Sequence, residues 1–242
     1  MKNFIFSGPF GPIECLVEPS KYPSDAVLVM AHGFRGSREG GGRAIGIARQ
    51  CIPWCDVVRF NFSGVQIMSK QVAELRSVVS EVRHRKKGAR VLLLGRSLGG
   101  AASIITAAMD RDIVALILWA APNDLRSTFR HVMPLKDYER LDRGETLHVV
   151  DERGECTLTP DFLTDFDQYN LSALLASWDN RPVLLLHCDA DGMVPVENAK
   201  RNASILGTSG ELHIFKGGDH SFTVYSEQAG EIIADWLSRK LV

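Results

Sequence analysis

Ser97 is the residue whose setting most suggests chemistry. It stands in Gly95-Arg96-Ser97-Leu98-Gly99, directly after the apolar run Val91-Leu92-Leu93-Leu94. A strand that turns straight into a helix through Gly-x-Ser-x-Gly throws the serine hydroxyl out above the strand end. Glycine two residues to either side removes the Cβ atoms that so sharp a turn would bring into collision. Alone the pattern is weak, since about one chain in ten of this length carries it by chance. A serine hydroxyl is also a poor nucleophile at neutral pH, so it needs a general base and an acid that orients the base.

Both partners are available downstream. The segment Leu185-Leu186-His187-Cys188-Asp189-Ala190-Asp191-Gly192-Met193-Val194-Pro195 leaves an apolar run with two carboxylates, and Ile214-Phe215-Lys216-Gly217-Gly218-Asp219-His220 leaves the next run with a histidine. Of the seven histidines, only His220 follows a glycine pair, which frees its loop to aim an imidazole. His32 and His187 read as structural hydrogen-bonders at strand ends. Asp191 is preferred as the acid. Asp189 is close enough to the strand end to bond the amides of its own turn, the usual task of a loop aspartate, and Asp124 is a third candidate. Negative charge developing on a substrate carbonyl oxygen also calls for two N–H donors. The Leu98 amide, just after the nucleophile, and the Phe34 amide, in the strand-exit loop His32-Gly33-Phe34-Arg35-Gly36, fit that task.

These residues need a scaffold that brings strand ends together. Apolar runs predict strands at Asn3–Phe6, Ile13–Glu18, Ala26–Ala31, Val57–Phe62, Arg90–Leu94, Ile113–Trp119, Val183–Cys188 and Leu212–Lys216. Three- and four-residue apolar spacing predicts helices over Met68–Val82, Leu98–Met109 and Val196–Leu206, and a last helix over Ser221–Lys240. Strands that are apolar on both faces belong in a parallel sheet covered by helices on each side. The first two runs are less uniform and suit an antiparallel edge. In such α/β sheets the loops after the strand C-terminal ends share one rim, where active sites assemble. The alternation breaks between Pro122 and Arg181. A polar hairpin over Leu147–Leu158, turning near Arg153-Gly154, and a helix start at Thr159-Pro160 are expected there. The chain thus reads as a single domain over 1–242 with a cap inserted at 123–180.

Composition narrows the function classes. A 242-residue chain with 45% hydrophobic content can bury a large core. A net charge of −1 argues for neither nucleic acid nor an anionic membrane as partner. Arg83-His84-Arg85-Lys86-Lys87 suits a solvated helix C-terminus. The N-terminus lacks a signal-peptide apolar stretch, and no run reaches membrane-spanning length, so a cytoplasmic protein is expected. Five scattered cysteines make a poor disulfide framework and read as buried structural thiols. Oligomeric state is not legible in the sequence.

With these segments assembled, the chain resembles the α/β-hydrolase superfamily. The resemblance rests on His32-Gly33-Phe34, Gly95-Arg96-Ser97-Leu98-Gly99-Gly100, the Asp191-Gly192-Met193-Val194-Pro195 loop and Gly218-Asp219-His220, in that order. Within the superfamily it is similar to small acyl esterases of the cinnamoyl/feruloyl esterase type and to serine-peptidase-like hydrolases. Arg96 stands where many relatives carry histidine, Asn61 where aspartate is commoner, and Cys188 where glycine is frequent. The resemblance implies an α/β-hydrolase fold and hydrolysis of small-molecule carboxylic esters with small or aromatic acyl groups, through an acyl-enzyme on Ser97, with no metal or organic cofactor. A thioesterase or peptidase using the same residues, and a non-catalytic binding protein on the same fold, are the alternatives. Met133, Leu135, Tyr138, Phe162 and Phe166 are expected either to wall the acyl pocket or to pack the cap on the sheet. Arg35 and Arg96 read either as contacts for an anionic substrate group or as surface arginines.

Overall fold

A computed structural model of the protein describes residues 1–64, 66–151 and 154–241. Its strands are β1 (Phe4–Gly8), β2 (Gly11–Glu18), β3 (Ala26–Ala31), β4 (Asp56–Phe60), β5 (Arg90–Arg96), β6 (Ile113–Trp119), β7 (Leu147–Asp151), β8 (Gly154–Leu158), β9 (Val183–Cys188) and β10 (Gly210–Phe215). Eight of them form one sheet in the order β1-β2-β4-β3-β5-β6-β9-β10, parallel from β4 to β10, with β1 and β2 antiparallel at one edge. The helix-covered parallel sheet and its antiparallel edge follow the pattern of apolar runs, and together they form the α/β-hydrolase fold that the resemblance implies.

The strands alternate their apolar residues between two cores. Val27, Val29, Val91 and Leu93 point into one, against α2 (Met68–Arg85) and α3 (Leu98–Met109). Leu28, Met30, Leu92 and Leu94 point into the other, against α1 (Arg43–Cys51) and α9 (Ser226–Leu241). Both faces are therefore dry, which is why the central strands carry almost no polar residue. Helix α1 is an element that the apolar spacing alone does not predict. Its Ala44, Ile47, Ala48 and Cys51 do recur at helical spacing, but over nine residues behind three glycines. All five cysteines are free. Cys15, Cys51, Cys55 and Cys188 are buried, and burial pushes the Cys15, Cys55 and Cys188 thiols up to about 12.

Between β6 and β9 the chain leaves the sheet. It forms α4 (Leu125–Val132), α5 (Leu135–Asp142), the antiparallel pair β7-β8, α6 (Asp161–Thr164) and α7 (Leu171–Ala176). The expected hairpin is present. Of the dipeptide placed at its turn, Arg153 lies outside the described residues and Gly154 opens β8 at φ 93°. Pro160 stands just before the first residue of α6, one position ahead of where it was expected. Helix α8 (Glu197–Leu206) then covers β9 and β10. No helix among the described residues is long and apolar enough to cross a membrane.

Candidate active site

Ser97 follows β5 and precedes α3 with φ 53° and ψ −124°, a conformation an L-residue adopts only when its surroundings impose it. The imposing contacts are specific. Ser97 N–H donates to the Trp119 carbonyl of the neighbouring strand at 2.8 Å. A Cβ at Gly95 would lie 2.3 Å from the Gly99 carbonyl oxygen, and one at Gly99 would lie 2.4 Å from the Ala31 and His32 carbonyl oxygens. At Gly100 it would strike the Ala121 Cβ at 2.4 Å. The glycines thus let α3 start against the ends of β3 and β5 and hold the turn closed.

The loops after β9 and β10 bring two further residues to this rim. His220 Nδ1 donates to Asp191 Oδ2 at 2.7 Å, which leaves Nε2 for a second partner. Among the described residues no hydrogen bond yet joins His220 to the Ser97 hydroxyl; such contacts commonly tighten only around substrate. Asp191 Oδ1 accepts from the Met193 and Val194 amides at 2.8 and 2.9 Å. Burial works against its charge, but the His220 bond and these two amides outweigh it and hold the carboxyl below the usual aspartate value. The loop is held from beneath by His187, whose Nε2–H donates to the Val194 carbonyl at 2.7 Å. It is held from above by His131 of α4, whose Nε2 lies 3.1 Å from the Gly192 carbonyl oxygen.

The competing carboxylates are engaged elsewhere. Asp189 Oδ1 accepts from Gly217 N–H at 2.5 Å and pins the turn after β10. Asp124 caps α4 by accepting from Ser127 N–H at 2.9 Å. In the glycine pair before His220, Gly217 supplies φ 74°, while a Cβ at Gly218 would meet the Cys188 Sγ at 2.5 Å.

The loop after β3 completes the arrangement, and His32 decides its shape. Phe62 N–H donates to His32 Nε2 at 3.1 Å, so that nitrogen carries no proton and Nδ1–H donates to the Gly33 carbonyl at 2.9 Å. Burial lowers the His32 pKa and keeps the ring neutral. The Gly33 carbonyl also accepts from Gly36 N–H at 2.9 Å. In a trans peptide the following N–H points opposite to the carbonyl, so anchoring Gly33 O turns the Phe34 amide away from His32. Neither the Phe34 nor the Leu98 amide has a hydrogen-bond partner among the described residues.

A cavity of about 140 Å³ joins these parts, lined by Phe34, Ser97, Leu98 and His220 and walled by Phe129 and Val132 of α4. None of Met133, Leu135, Tyr138, Phe162 and Phe166 lines it. Phe162 and Phe166 are buried behind the wall, with ring centroids 4.9 and 5.2 Å from that of Phe129, and Leu135 is exposed. Of the two expectations for these residues, packing is the one met: Tyr138, Phe162 and Phe166 belong to the hydrophobic core, with Met133 against it.

A family model described as the alpha/beta hydrolase family matches residues 28–236. The chain belongs to that family. Solved structures with the same fold include Est1E from Butyrivibrio proteoclasticus with ferulic acid bound, at TM-score 0.85 and 17% identity, covering 98% of each chain. They also include the esterase domain of a Rhodothermus marinus protein, at TM-score 0.77 and 21% identity over 100% of this chain and 99% of that one. An esterase of Pyrococcus furiosus matches at TM-score 0.73 and 15% identity, over 100% and 91%. A search of curated proteins returns no match.

Proposed function

We propose that this hydrolase-family protein is a serine esterase acting on carboxylic esters with small or aromatic acyl groups. The observation that carries the reading is the hydrogen bond between His220 and the doubly anchored Asp191 at the rim of the cavity that also holds Ser97. Ser97 attacks the ester carbonyl carbon while His220 Nε2 takes the hydroxyl proton, and Asp191 steadies the imidazolium that results. The Phe34 and Leu98 amides receive the oxyanion. The tetrahedral intermediate collapses, the proton passes to the departing alcohol, and water releases the acid from Ser97 by the same steps.

Cavity size supports the acyl class, since an apolar space of about 150 Å³ holds a benzene ring. Residues 123–180 serve in this reading as a cap on a single domain, because α4 within them supplies the wall opposite Ser97. The test is labelling by a fluorophosphonate together with turnover of p-nitrophenyl acetate. Labelling that disappears in Ser97→Ala, along with turnover, supports the reading. A folded wild-type protein that takes no label defeats it.

A further inference from the structure

A second cavity, of about 480 Å³, opens beside the one at Ser97 and shares Phe34, Arg96 and Ser221 with it. The two spaces adjoin at these three residues. The charge of the larger cavity is one-sided: among the described residues Arg35, Arg38, Arg43 and Arg96 line it, and no carboxylate does. Two of these cations are matched by acids outside the lining. Arg35 Nη1 meets Asp151 at 2.5 Å, and Arg38 meets Glu14 and Glu39 at 2.8 and 3.0 Å.

Arg43, the first residue of α1, differs from both. Among the described residues it pairs with no carboxylate, and its Nη1 reaches only the Gly40 carbonyl, at 3.4 Å. A guanidinium carries five N–H donors in a fixed fork suited to carboxylate and phosphate, so most of its capacity remains for a ligand. Gly41 keeps room for it. At φ 62° that residue disfavours any side chain, and a Cβ there would stand 3.0 Å from Arg43 Nη1. The charge is felt nearby as well: bonds from the Thr223 amide and hydroxyl hold the Asp219 carboxyl below its usual value, and Arg43 lowers it further.

The reaction geometry says which part of the substrate meets this cavity. His220 gives its proton to the leaving oxygen, so the alcohol departs on the His220 side, and Ser221, next in the chain, lines both spaces. Resting on the serine-esterase reading, we infer that the alcohol part of the ester carries an anionic group, a carboxylate or a phosphate, and that Arg43 binds it in the larger cavity. Arg96 forms the mouth shared with Ser97. Of the two expectations for Arg35, contact with an anionic group or a surface role, the first is met less well, because its fork is occupied by Asp151 and the Gly154 carbonyl.

Acetate esters of matched phenols test this: 3-acetoxybenzoate, 3-acetoxyphenyl phosphate and the neutral 3-acetoxybenzamide. Wild-type kcat/KM is expected to favour an anionic ester over the amide by about tenfold or more, and the larger preference tells carboxylate from phosphate. Arg43→Gln is expected to bring that ratio close to one, and Arg43→Lys to restore part of it, with melting curves confirming that both variants fold. A wild type without preference, or a ratio that Arg43→Gln leaves intact, overturns the inference, while Ser97-dependent hydrolysis of the neutral ester leaves the esterase reading standing. Calorimetric binding of 3-hydroxybenzoate and 3-hydroxyphenyl phosphate to Ser97→Ala gives a readout independent of turnover. Binding weakened about tenfold by adding Arg43→Gln supports the anion site even if no ester is cleaved; binding of neither product, or binding indifferent to Arg43, overturns it.

Discussion

Gly33 lies so close to Ser97 that a Cβ built on it would stand 2.9 Å from the serine Cβ and 3.5 Å from its Oγ. The backbone of Gly33 is not in the left-handed region, so the contact and not the conformation requires glycine there. Gly33→Ala is therefore expected to fold and to misplace the hydroxyl. A shift of the order of an ångström at a reacting atom costs about a hundredfold in rate. Steady-state kinetics on p-nitrophenyl acetate, beside a melting curve close to wild type, checks both halves of the expectation.

Asp191 and Asp189 stand two residues apart with different tasks. If Asp191 is the orienting acid, Asp191→Asn keeps the shape of its loop but removes the charge that would steady the imidazolium, and a loss of about three to four orders of magnitude in kcat is expected. Asp189→Asn weakens the hydrogen bond to the Gly217 amide and should cost about 1 kcal/mol of stability with activity within about fivefold of wild type. Equal losses of activity in the two variants would move the acid role away from Asp191.

His32 acts through the peptide it anchors. If the Phe34 amide receives the oxyanion, His32→Ala leaves the Gly33 carbonyl held by the Gly36 amide alone and loosens the aim of that donor. The expected signature is a fall of about tenfold to a hundredfold in kcat with a small change in KM, because the donor matters most when charge develops. A purely structural histidine would instead lower the melting temperature and leave kcat of the folded fraction unchanged.

Much of the fold, and the residues of the candidate site, are legible from local pattern. Continuous apolar runs marked β3, β6 and β9 to the residue, since strands buried on both faces are apolar almost throughout, with His187 of β9 the one polar exception in the three. Ser97 and His220 were marked by glycines, whose local purpose shows in sequence. What escaped reading depends on contacts between distant segments. The His32 tautomer is set by the Phe62 amide thirty residues away, the acid loop is braced by His131 from the insert, and the cavity wall is chosen by how α4 packs. Strand order beyond the antiparallel edge belongs to the same class, because no local signal records which parallel strands are neighbours.

His187, fully buried, and His32, half-buried, also make stability depend on pH. Burial, the largest influence on each, lowers the pKa of His32 and of His187 from 6.5. The groups around His187 are the Val194 carbonyl, Asp191, His220 and Glu197. The first two, with Glu197, favour its charged form and His220 opposes it, without overcoming the burial. In the unfolded chain both rings take up a proton as pH falls through about 6.5, whereas in the folded protein they stay neutral to lower pH. The unfolded state then binds more protons, so stability declines as pH drops below that value and levels off only once the folded pKa values are passed. Asp191, with its lowered carboxyl, adds to acid lability only below the usual aspartate range. Urea melts at pH 7.5 and 5.5 should show the loss, and His187→Gln should reduce the difference between them. Stability that is flat over this interval in the wild type would mean that neither ring is held neutral by burial.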